Sequence, residues 1–149
     1  MAILDSARLD HCSYVVPNLD AAVDFFTQWL GFELVSTHGP VSSPNDDRLT
    51  RTFAVPDRAV GRSAFLQQGG TQLEFVEWAV YGQGINPLRE STVPGCHIAL
   101  RVDDLDATVA LLKEGVPRMM FLEKSPDGYI FCFTPFGFQL QLIGNNLSI

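Results

Sequence analysis

The chain is expected to form an α+β domain built from two βαβββ modules, whose strands make a concave mixed sheet with the helices on its outer face. Three observations lead there: an internal repeat, a hydrophobic period that passes from two to 3.6 and back within each copy, and a length of 149 residues that suits two small modules of one kind. LDHCSYVVPNLDAAVDFF, from Leu9, matches GCHIALRVDDLDATVALL, from Gly95. His11 pairs with His97, Leu19 with Leu105, Asp20 with Asp106 and Ala21 with Ala107, at a constant offset of 86. The closing phrases QGGTQLEFVEW and TPFGFQLQLIG pair separately. Gly70 answers Gly137, Gln72 answers Gln139, Leu73 answers Leu140 and Glu74 answers Gln141, at an offset of 67, so the first copy is 19 residues longer. Residues 1–149 thus read as one domain, with a first module at 9–78, a linker at 79–94 and a second module at 95–144.

Each copy opens on a short β-rich run, HCSYVV or HIALRV. Asn18 and Asp104 follow as helix N-caps, with Asp20 and Asp106 in the first turns, where an acid favours the helix dipole. AAVDFFTQWLG and ATVALLKEG then repeat apolar residues at helical spacing, and Gly31 and Gly115 are read as the stops. After each helix the period falls toward two. The first copy is expected to place strands near LTRTFAV, RSAFLQQ and TQLEFVEW; the second near RMMFLE, GYIFCFT and FQLQLI, with turns at SPDG and TPFG. The extra residues of the first copy are assigned to HGPVSSPNDDRLTRTF and the turns after it, read as loop, with His38 exposed there.

A net charge of −7 and a pI near 4.7 leave no basic stripe for a nucleic-acid backbone. The first ten residues lack the basic start and apolar core of a signal peptide, and no run approaches the roughly 20 apolar residues of a membrane span. Cys12, Cys96 and Cys132 form no CxxC pair and are read as small apolar fillers of a reduced protein. A cytoplasmic protein acting on a small molecule, with neither nucleic acid nor membrane as partner, is the expectation.

Strand alternation sorts the polar residues. Cys96, Ile98, Leu100 and Val102 form one apolar face that should meet the helices, which leaves His97, Ala99 and Arg101 on the other. Leu73 and Phe75, matched by Leu140 and Leu142, put Glu74 and Gln141 on that same far face, and His11 joins them by the repeat. A one-residue slip would reverse the assignment. A lone strand histidine is more often a structural residue than a ligand. Two at matched repeat positions, with an inward glutamate, form a competent set for a first-row divalent ion. Gln141 would add a neutral carbonyl oxygen. Arg101 could meet an anionic substrate group. Phe53, Phe65, Trp78, Tyr81, Tyr129, Phe131 and Phe133 would supply apolar walls.

The two H-x-x-x-x-V openings, RVDDLDATVALLKEGV and the closing TPFGFQLQL resemble the vicinal oxygen chelate superfamily, the glyoxalase, bleomycin-resistance and extradiol-dioxygenase group. The resemblance runs from Leu9 to Ile143 and implies the glyoxalase/bleomycin-resistance fold. It also implies a homodimer and one divalent ion (Ni, Co, Zn, Mn or Fe) on His11, Glu74, His97 and Gln141. Glyoxalase I and methylmalonyl-CoA epimerase look most similar. They imply a metal-dependent lyase or isomerase that polarises a carbonyl and moves a proton through an enediolate. The usual ending carries a glutamate where Gln141 stands. That amide is no base near neutral pH, so Glu74 is the expected proton-transfer group. The alternatives are a non-catalytic binder of the bleomycin-resistance kind, for which the aromatic residues speak, and an extradiol-dioxygenase-like enzyme.

Overall fold

The computed structural model describes residues 9–80 and 96–145. Most of the expected linker, and Tyr81 with it, lie outside the described residues. Contacts divide the chain into two compact units, Met1–Gly84 and Ile85–Ile149.

The first module runs β1 (Cys12–Val15), α1 (Leu19–Leu30), β2 (Glu33–Ser42), α2 (Arg48–Phe53), β3 (Val60–Gln68) and β4 (Thr71–Ala79). The second runs β5 (Ile98–Val102), α3 (Leu105–Gly115), β6 (Met120–Phe121), β7 (Tyr129–Phe133) and β8 (Gln139–Gly144). Each makes its own four-stranded mixed sheet, in the orders β1-β4-β3-β2 and β5-β8-β7-β6. In both, the opening strand lies parallel to the closing one, and the other neighbours are antiparallel. Two βαβββ-like modules with flanking helices are therefore the architecture. Among the described residues no helix is long and apolar enough to cross a membrane.

Both long helices begin as their sequences direct. Asn18 Oδ1 accepts from the Ala21 amide at 2.9 Å, and Asp104 Oδ1 accepts from the Ala107 amide at 2.9 Å. Gly31 closes α1 in the left-handed region at φ 71°; Gly115 instead ends α3 as its last helical residue, and the cap is Val116 in extended backbone. α1 buries Leu19, Ala22, Phe25 and Phe26. Phe26 meets Phe75 with ring centroids 4.7 Å apart, above a floor that includes the fully buried Ala64 and Leu66. In the second module Leu105 and Leu112 of α3 are buried, as are Ile130, Cys132, Leu140 and Leu142 of the sheet. Burial pushes the Cys132 thiol up to about 12, so it behaves as an apolar filler. Cys12 and Cys96 are only half-buried, and all three cysteines are free.

The sequence expectation fails between the first helix and β3. LTRTFAV is not a strand: Arg48–Phe53 is helical, and the second strand is Glu33–Ser42, which absorbs the His-Gly-Pro read as loop. Side chains explain the helix, because Asp46 Oδ1 accepts from the Arg48 amide at 2.8 Å and Ser43 Oγ from the Leu49 amide at 3.2 Å. An Arg51–Asp47 pair at 3.0 Å spans its turn. Position explains the strand. β2 is an edge, where proline's missing N–H and a break in register are tolerated, and the register shifts between His38 and Val41. Gly39 sits there at φ 97°, and a Cβ on it would lie 2.8 Å from the Gly61 carbonyl oxygen.

A polar network ties α1 to the sheet. Glu77 Oε2 accepts from the Leu19 amide at 2.6 Å, and Arg62 donates to Glu77 from Nε at 3.2 Å and from Nη2 at 3.0 Å. The same guanidinium holds Asp20 through Nη1 at 3.1 Å and Nη2 at 3.0 Å. Arg62 is raised further above its ordinary value by its bonds to Glu77 and then Asp20. The bond from Arg62 in turn holds Glu77 below the ordinary carboxylate value. A lowered carboxylate stabilises the fold at pH above its unfolded value, and that contribution is lost as pH falls through the folded one. Glu77→Gln is therefore expected to lower the melting temperature by roughly 2–4 °C at about pH 7. Thermal unfolding followed into the acid range should show the gap to wild type narrowing as the pH falls through the lowered Glu77 value, where both chains come to carry a neutral group.

Candidate functional site

β4 presents two different faces. Leu73, Phe75 and Glu77 turn toward α1, while Glu74, Val76 and Trp78 turn away. Parallel pairing sets Ser13 beside Glu74 and Val15 beside Val76, and β3 sets Phe65 opposite Glu74 on the other side. His11, just before β1, stands its ring edge-on to Phe65, with centroids 5.1 Å apart at 82°. Its Nδ1 lies 2.6 Å from Asp10 Oδ1 and its Nε2 lies 3.5 Å from Glu74 Oε2.

That arrangement has a chemical consequence. A neutral imidazole carries one N–H, so with a carboxylate at each nitrogen one of them must face a lone pair. A cation between Nε2 and Oε2, whether proton or metal ion, resolves the conflict. Two ligand atoms about 2.1 Å from one tetrahedral ion lie about 3.4 Å apart. The observed 3.5 Å fits that spacing. Asp10, meanwhile, stands where outer-shell carboxylates orient metal-binding histidines.

The second module repeats the construction. His97 precedes β5, and its ring stands edge-on to Phe131, with centroids 5.2 Å apart at 89°. Phe131 lies opposite Gln141, as Phe65 lies opposite Glu74, and Ala99 lies beside Gln141 as Ser13 lies beside Glu74. Each module thus carries one imidazole, one phenyl ring and one acid or amide in the same relation. Tyr129 and Phe133 lie two residues either side of Phe131, opposite Ile143 and Gln139. The Gln139 side chain is buried, with no hydrogen-bond partner for Oε1 among the described residues. Arg101 donates from Nη1 to the Gly144 carbonyl at 3.1 Å, so at least part of its fork holds the strand end. Among the described residues no group of three or more His, Cys, Asp or Glu side chains is gathered as a metal-holding cluster. What is gathered is the His11–Glu74 pair of the first module.

Beside Glu74 the first module opens a cleft of about 530 Å³, a volume that suits a small molecule. Phe53, Phe65 and Trp78 line it, as do Ser13, Val15 and Val76. Phe53 and Trp78 lean together with centroids 5.7 Å apart. Trp78 lies flat on Gly61, where a Cβ would fall 2.4 Å from the indole. His38 also lines the cleft from β2, edge-on to Phe65 at 5.7 Å, with Nε2 3.1 Å from Ser36 Oγ. Sequence reasoning passed over His38, Asp10 and Ser13. His38 was hidden by the adjacent Gly-Pro, which reads as a turn. Asp10 has no counterpart in the second copy, where Cys96 holds that place. Ser13 was readable, since alternation puts it on the same strand face as His11, but it was not singled out.

The profile of the Glyoxalase/Bleomycin resistance protein/Dioxygenase superfamily matches residues 8–142. A 2-epi-5-epi-valiolone epimerase from an Actinomyces species is 37% identical over 147 residues, covering 93% of this chain and 79% of that protein. Among solved structures, a glyoxalase family protein from Bacillus cereus superposes with a TM-score of 0.71 at 19% identity, covering 97% of each chain. Glyoxalase I from Leishmania major gives 0.64 at 23% identity, covering 93% of this chain and 87% of its own. The fosfomycin resistance protein FosX from Mesorhizobium loti gives 0.60 at 14% identity, covering 91% of this chain and 90% of its own.

Gly61→Ala should push the Trp78 ring off the strand and into the cleft. In a Trp29→Phe background, where Trp78 is the sole tryptophan, its emission maximum is expected to shift while the far-ultraviolet circular dichroism stays unchanged.

Proposed function

Because the chain belongs to the Glyoxalase/Bleomycin resistance protein/Dioxygenase superfamily, we propose that it is a metal-dependent isomerase that epimerises a carbon next to a ketone in a small molecule. The observation that carries this reading is the Glu74 carboxylate facing His11 Nε2 at 3.5 Å, on the wall of a cleft sized for such a molecule. The epimerase relative at 37% identity supports the substrate class, since its substrate's name denotes a ketone.

His11 and Glu74 are the ligands proposed in the first module, and their repeat counterparts His97 and Gln141 are the ligands proposed in the second. When bound, a divalent ion supplies Lewis acidity that stabilises negative charge on a carbonyl oxygen. The protein's own residues do the rest. Asp10 holds the His11 ring so that Nε2 faces Glu74. Glu74, only partly exposed, takes the proton from the carbon beside the ketone. Phe65, Trp78 and Val76 exclude water from the carbanion that results. Gln141 lets the site bind without a second carboxylate, which leaves it one unit more positive and better suited to an anionic oxygen.

The cleft's aromatic lining also favours a second reading, a non-catalytic binder of an apolar ligand. The two readings separate on metal content and on chemistry. Protein purified without chelator should carry about one equivalent of metal per chain, lost in His11→Ala, and Asp10→Asn should weaken binding about 10–100-fold. Gln141→Glu should change metal affinity or substrate preference. Loaded protein given 2-epi-5-epi-valiolone should invert one stereocentre, followed by proton NMR. A chain that takes up none of Ni, Co, Zn, Mn or Fe, and leaves the ketone unchanged, would be a binder.

A further inference from the structure

Epimerisation poses a geometric problem that the repeat leaves unsolved. A carboxylate that removes a proton from one face of a carbon returns it to that same face. Inversion needs a second group on the opposite face. The second module's counterpart of Glu74 is Gln141, whose amide neither takes nor gives a proton near neutral pH.

The first module holds another candidate. His38 and Glu74 line the same cleft, from strands β2 and β4, with β3 between them. Two strand spacings of about 4.8 Å and an offset of two residues put their backbones roughly 12 Å apart. Two groups that each approach one carbon to about 3 Å need reacting atoms about 6 Å apart. Both side chains enter the cleft from strands on either side of β3, and a substrate seated between them would meet one at each end. The floor between them is the Phe65 ring, flanked edge-on by His11 at 5.1 Å and by His38 at 5.7 Å. An apolar floor with a proton-transfer group at either end suits a small ring lying across it. The contact between His38 Nε2 and Ser36 Oγ, at 3.1 Å, holds the imidazole in place. Its exposure lets solvent reset its proton between turnovers.

We propose that His38 is the second proton-transfer group, working across the cleft from Glu74, so that inversion follows a two-base path with a carboxylate at one end and an imidazole at the other. In one direction Glu74 takes the proton and the C–H electron pair moves toward the carbonyl oxygen. The His38 imidazolium then delivers a proton to the opposite face of that carbon, and the carbonyl re-forms. Glu74 is left neutral and carrying the abstracted proton, His38 is left as neutral imidazole, and exchange with water restores both. The reverse direction uses the same groups with roles exchanged. No oxidant or co-reactant is consumed.

This inference rests on the epimerase reading, and one experiment distinguishes the two. Metal-loaded wild type, His38→Asn and His38→Glu are each incubated in D₂O with 2-epi-5-epi-valiolone and, separately, with the epimer that the wild type produces from it. Proton NMR follows both inversion and loss of the α-proton signal. In His38→Asn, inversion is expected to fall at least about 100-fold. Deuterium uptake should persist from the epimer whose C–H faces Glu74, within about threefold of wild type, and vanish from the other. His38→Glu, which restores a proton-transfer group, should recover part of the inversion, and metal content should be unchanged in both variants. Inversion by His38→Asn within threefold of wild type, or equal loss of exchange from both epimers, removes His38 from this role and leaves the epimerase reading standing. A loaded wild type that neither inverts nor exchanges either epimer removes both.

Discussion

The parallel pairing of the opening strand of each module with its closing strand is the constraint on which the site depends. It sets Ser13 beside Glu74 and Ala99 beside Gln141, residues far apart in sequence. Alternation then leaves no freedom, because moving either strand by one residue would swing the acid or amide under the helices. The helix side is the enforcing side. Phe75 and Phe26 are fully buried against each other, and so are Leu140 and Leu142 in the second module. Exposing those side chains would forfeit about 1.5–3 kcal/mol apiece, far more than a polar face could return. The face that carries the candidate site is thus held in register by the face that packs on the helices.

β4 shows this economy most clearly. Its odd positions pack the core and end in Glu77, which accepts from the first amide of α1 and grips Arg62. Its even positions supply Glu74, Val76 and Trp78 to the cleft. The lowered Glu77 and the site carboxylate Glu74 are three residues apart yet serve opposite faces, one fixing the helix and the other meeting His11. The imidazole–phenyl pairs add a further restraint. His11 on Phe65 and His97 on Phe131 adopt the same edge-on stacking in both modules. Each ring meets an aromatic face along its edge, an arrangement that limits where its nitrogens point.

Much of this was readable from residues alone, for reasons that are local. Asn18 and Asp104 announced both helix starts because a short acceptor two or three residues before an apolar run has few other uses. The facing of Glu74, Gln141 and His97 followed from period two, which survives any error in strand ends. What escaped was set by tertiary context. LTRTFAV has strand-like residues, but Ser43 and Asp46 cap its first turn and turn it helical. Gly39-Pro40 reads as a turn, and only an edge position lets a strand run through it. Misreading that one stretch concealed His38. Gly115 looked like a left-handed stop, yet Val116 caps the helix in extended form. Tyr129, Phe131 and Phe133 were read as cavity walls and stand on the His97 face of their own sheet, whereas the cleft of the first module is lined by Phe53, Phe65 and Trp78.

The central proposal is that the His11–Glu74 pair of the first module holds a divalent ion, and the ion's own scattering tests it most directly. X-ray absorption at the cobalt edge of Co(II)-loaded protein should show the multiple-scattering pattern of imidazole among nitrogen and oxygen neighbours, weakened when His11 is replaced by Gln. A spectrum of oxygen ligands alone, unchanged by that replacement, would contradict it.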